Sequence, residues 1–134
     1  MTRRSAFAAV ALAAIAALGS QTAALAGPKS SETAPTISLK GGEPVLGASV
    51  SFSTTYSNVK YPAVEVNCYQ NGALVWGQVG LPTDIFKLGG DSSPWLSNGG
   101  GPASCVGELL SETWRGTTEE AMTVLATTPF AVSG

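Results

Sequence analysis

Residues 63–79 read Ala-Val-Glu-Val-Asn-Cys-Tyr-Gln-Asn-Gly-Ala-Leu-Val-Trp-Gly-Gln-Val, and the fold turns on this stretch. From Ala63 to Gln70 the side chains alternate, with Val64, Val66 and Cys68 on one face and Glu65, Asn67 and Tyr69 on the other. Period two is the spacing of a half-buried strand rather than of a helix, so Cys68 is expected to face a core. Asn71-Gly72 then fits a two-residue hairpin turn, because both central residues of a type I′ turn need positive φ. The chain is expected to return at once in a strand from Ala73 to Val79.

The same pattern recurs on both sides. Ile37 and Leu39 alternate with Ser38 and Lys40 ahead of the turn Gly41-Gly42-Glu43-Pro44, and Val50, Phe52 and Thr54 alternate with Ser49, Ser51 and Ser53. Ile85-Phe86-Lys87-Leu88 forms a fifth run, Ala103 to Leu110 a sixth that carries Cys105, and Met122 to Val132 a seventh. Glu119 to Met122 has room for one helical turn, but nothing sustains an amphipathic helix. Gly89 to Pro102 reads as a loop, longer than is usual in a compact domain. Seven short strands with regular turn signals predict an all-β sandwich.

Ahead of these runs, Arg3 and Arg4 precede an uncharged apolar stretch from Ser5 to Leu18, and Ala24-Leu25-Ala26 has the small-x-small form of a cleavage site. Residues 1–26 are therefore expected to be a cleavable signal peptide, since the apolar run is shorter than the roughly 20 residues of a membrane span. The arginine pair also loosely echoes a twin-arginine signal. Residues 27–35 are polar and proline-bracketed, and read as a disordered linker into a domain over 36–134.

Cleavage would leave five basic residues against nine acidic ones, a net charge of −4. That balance argues against a nucleic-acid partner, because phosphate binding needs a basic surface. It also leaves no polybasic patch for a membrane. Cys68 and Cys105 are the only cysteines. In an exported, oxidising setting they are expected to form one intramolecular disulfide, worth on the order of 3–4 kcal/mol by loop-closure entropy.

Strand spacing, the paired cysteines and the closing run Leu125-Ala-Thr-Thr-Pro-Phe-Ala-Val132 resemble an immunoglobulin-like or fibronectin type III-like domain of bacterial secreted proteins, over about residues 36–132. The pattern departs from antibody domains in two places. Cys68 lies on the third run, where an antibody domain bridges its second and sixth strands, and Ala103 stands where a tyrosine would precede the second cysteine. Third and sixth strands of such a sandwich are antiparallel neighbours, so the resemblance implies a cross-strand bridge within one sheet, facing the core.

The sequence contains no histidine, which removes the commonest general base and metal ligand. No metal site or cofactor is expected. Ser57-Asn-Val-Lys60 lacks the companion motifs of penicillin-binding enzymes, and the glycine pairs and triplets lack the Lys-Ser/Thr of a phosphate loop. Glu108 and Glu112 suggest a carboxylate pair, but a small sandwich offers little cleft for a sugar ring. A non-catalytic secreted or periplasmic binding module is therefore expected, contacting an unknown protein or polysaccharide partner. Trp95, Trp114, Arg115 and Trp76 are the candidate contact residues, because a weakly charged binder needs flat apolar surface. A protein partner is the leading reading. Carbohydrate binding on the three tryptophans is one alternative, and enzyme inhibition is another, since Thr113-Trp-Arg-Gly116 weakly resembles the exposed turn of small bacterial amylase inhibitors.

Overall fold

The structure is a computed structural model that describes residues 32–134; the expected signal peptide and residues 27–31 of the expected linker lie outside the described residues. Strands β4 (Pro62–Gln70) and β5 (Ala73–Gly80) form the anticipated antiparallel hairpin. Asn71 and Gly72 both take positive φ, 49° and 79°, as a type I′ turn demands. Val64, Val66 and Cys68 are fully buried. Opposite them, Cys68 pairs with Trp76 and Tyr69 with Leu74, which leaves Val75 as an extra residue in β5. This bulge explains why two successive residues, Val75 and Trp76, both pack against the core.

On the other side of β4 lies β7 (Ala103–Arg115), with β8 (Thr118–Val132) beyond it, so the sheet order is β5-β4-β7-β8. Cys68 stands directly opposite Cys105 in the register, and the two form a disulfide with Cα atoms 4.1 Å apart. The bridge therefore joins the third and sixth runs within one sheet, and both cysteines belong to the core. A disulfide of this kind fits an oxidising, extracellular environment. Among the described residues no helix is long and apolar enough to cross a membrane.

Short antiparallel pairs supply the other strands, β1 (Thr36–Leu39) with β3 (Phe52–Thr55) and β2 (Ser49–Val50) with β6 (Phe86–Lys87), and a parallel bridge joins Val45 to Ser133. The second run is thus divided at Ser51, because its two halves pair with different partners. Phe52 carries the packing between these pairs and the sheet. Its ring lies 5.9 Å from that of Phe86 and 6.0 Å from that of Phe130, centroid to centroid. It sits over Gly107 of β7, where a Cβ would come within 2.6 Å of the ring. Only glycine permits that approach.

Two elements depart from expectation. The stretch from Gly89 to Pro102 holds a single-turn helix, α1 (Pro94–Ser97). Ser93 caps it by accepting a hydrogen bond from the Leu96 amide, and Pro94 occupies the first turn, where no amide partner is needed. At the other end, β7 runs on to Arg115 and β8 begins at Thr118, so Glu119–Met122 is strand, with no helical turn. Gly116 takes φ 61° while Thr117 does not take positive φ, the pattern of a type II′ turn. Because β4 pairs with β7 only as far as Ser111, with a last backbone bond from the Glu112 amide to the Tyr61 carbonyl, residues 112–122 form a two-stranded arm beyond the sheet.

Candidate functional site

The three tryptophans occupy different environments. Trp95 is 0% exposed, and its indole Nε1–H donates to the Gly101 carbonyl at 2.9 Å. Its candidacy as a contact residue is corrected: α1 turns the ring inward, where it joins the core cluster. Trp76 is half-buried beside Gly89 and Gly90, with Gly90 close to its Nε1. Trp114 is 41% exposed. It lies nine residues beyond Cys105 on β7, about 30 Å at strand rise, whereas Trp76 stands at the disulfide's level. The indoles therefore do not share a platform.

Trp114 and Arg115 lie at the end of β7, within the arm. The Trp114 indole N–H donates to Glu112 Oε2 at 2.9 Å, which holds the ring along the strand. Arg115 pairs with Glu120 across the turn at 3.0 Å. Met122 stands opposite Glu112, and Val124 opposite Leu110, both on the Trp114 face by alternation, and both are about half exposed.

That face continues over the sheet as the side turned away from the core. Alternation from the buried series Val64, Val66 and Cys68 places Glu65, Asn67 and Tyr69 outward on β4. On β7 it places Ser104, Val106, Glu108, Leu110, Glu112 and Trp114 there. Leu110 and its neighbour Ala63 are buried yet stand apart from the core cluster, in keeping with this second side. The face is closed around Leu110 and Ala63 and open at Val79, Met122 and Val124, while β1 and α1 bring Ile37 and Trp95 to the core side. Sequence reasoning found Trp114 but not the rest of this surface. Met122 and Val124 share a face two residues apart, but Ala121 and Leu125 beside them blur the alternation, and two bulges in β8 break its period on either side.

Glu108 does not form a carboxylate pair with Glu112. Its direct neighbour in the register is Glu65 on β4, and Glu112 is engaged by Trp114. Elsewhere, Lys87 Nζ donates to Asp91 Oδ1 at 2.9 Å, and this contact holds the Asp91 carboxyl below its usual range.

A concave region lies where the β4–β5 turn, the glycine stretch 99–101 and the end of β8 converge, lined by Tyr69, Gln70, Asn98, Ser104 and Val132. Gln70 spends its amide on the protein itself, donating to the carbonyls of Gly100 and Pro102 at 2.9 and 3.1 Å. No family model matches the chain, and no curated protein or solved structure matches it either.

Proposed function

We infer that the protein is an exported, non-catalytic binding module that contacts a protein partner through the β7–β8 arm and the adjoining outer face of the sheet. One observation carries the reading: the arm leaves the body of the fold and holds Trp114 and Met122 exposed on one side of a two-stranded ribbon, with Val124 exposed on the same side where the ribbon joins the sheet. Surface tryptophan and methionine are enriched where proteins meet, and a ribbon that supports no other part of the fold has little structural need of them. The strand order also favours an immunoglobulin-like sandwich. The sheet β5-β4-β7-β8 follows the C′-C-F-G order of such domains, with β1 and β3 in the positions of A and B.

Carbohydrate binding on the tryptophans is less favoured, because Trp95 is buried and Trp76 is about 30 Å along the sheet from Trp114. Affinity capture from the surroundings of the producing cell, alongside retention on insoluble polysaccharide and peptidoglycan, separates the two readings. A protein retained by wild type and lost with Trp114→Ala supports the module. Retention on polysaccharide that survives Trp114→Ala contradicts it.

A further inference from the structure

The charges on the four-stranded sheet are one-sided. Strands β4, β5, β7 and β8 together carry Glu65, Glu108, Glu112, Glu119 and Glu120 against a single cation, Arg115, which is already paired with Glu120. Lys60, just ahead of β4, lies over the Tyr61 ring at 5.3 Å. Glu65 and Glu108 face each other directly across β4 and β7, both half-buried, and among the described residues neither is in an ion pair. Like charges directly opposite in a sheet are destabilising. They stand on the outer face among Val79, Val106, Leu110 and Val124, and the face runs on to Glu112, Met122 and Trp114.

We propose that this face binds a basic protein surface, one that presents lysine or arginine between apolar side chains. Charge complementarity selects the occupant of this face, on which Val79, Val124, Met122 and Trp114 are about half exposed around the buried Leu110. A cation inserted between Glu65 and Glu108 would relieve their repulsion, while flanking apolar groups cover the valines and Trp114. An acidic partner would add repulsion, and a purely apolar one would bury the two carboxylates unpaired. The inference rests on the reading of the protein as a binding module and names the chemistry of its partner.

The test uses a short peptide of alternating lysine and valine, with a glutamate–valine peptide as control. Carbodiimide joins a carboxylate to an amine in contact with it, so coupling is expected at Glu65, Glu108 or Glu112. The Glu65→Gln/Glu108→Gln double variant is expected to weaken binding about tenfold, with Glu43→Gln unchanged. Equal binding of the control peptide would overturn the proposal, as would coupling spread evenly over Glu43, Asp84 and Asp91. Should Trp114→Ala abolish capture of a natural partner while the lysine peptide shows no preference for this face, the basic partner is ruled out and the binding module stands.

Discussion

Gly107 and Glu108 are adjacent on β7 and serve opposite sides of the sheet. Gly107 faces the core, and the Phe52 ring occupies the space a side chain would need. Gly107→Ala is expected to destabilise the fold by about 1–3 kcal/mol, the usual cost of overpacking, as read from a shift in the urea midpoint. Glu108 faces outward opposite Glu65. Glu108→Gln removes one of two like charges and is expected to stabilise the protein by roughly 0.2–1 kcal/mol in the same assay. A stability loss on Glu108→Gln would mean that the carboxylate is satisfied within the fold. Trp95 shows where residue-level reading stops: its buried position depends on the Ser93 cap and the Gly101 carbonyl, a local geometry that residues 91–98 do not announce.

At the scale of elements, the hairpin 62–80 and the position of Cys68 were legible because strict alternation and Asn71-Gly72 are both local signals. The division of the second run at Ser51 was not, since it follows from which strands lie alongside. The arm escaped for a different reason. Bulges beside Leu110 and Trp114 shift the alternation of β8, so its period breaks where the strand in fact continues. An arm supported by one neighbour on each strand is expected to open locally. Amides of residues 112–122 should exchange with solvent faster than those of residues 64–68 and 105–109, by hydrogen–deuterium exchange and mass spectrometry. Equal protection in the two regions would indicate that the arm is packed against the body.

Across the whole molecule, the disulfide spans 37 residues and ties the two central strands of the sheet. Replacing both cysteines by serine is expected to cost about 3–4 kcal/mol, a large fraction of the stability of a small domain, measured by denaturant unfolding. Composition made the bridge legible, and alternation made its facing legible; the outer face required knowing the strand order. Binding is proposed to lie on the arm, apart from the body that holds the core and the disulfide. Ser111 and Thr123 are register partners, so residues 112–122 can be replaced by Asn-Gly to close the hairpin where β4 support ends. The most direct measurement is partner capture with this shortened protein, checked for its disulfide and unfolding midpoint. The account predicts a folded, bridged protein that no longer retains the partner held by wild type; retention as strong as that of the intact protein would contradict it.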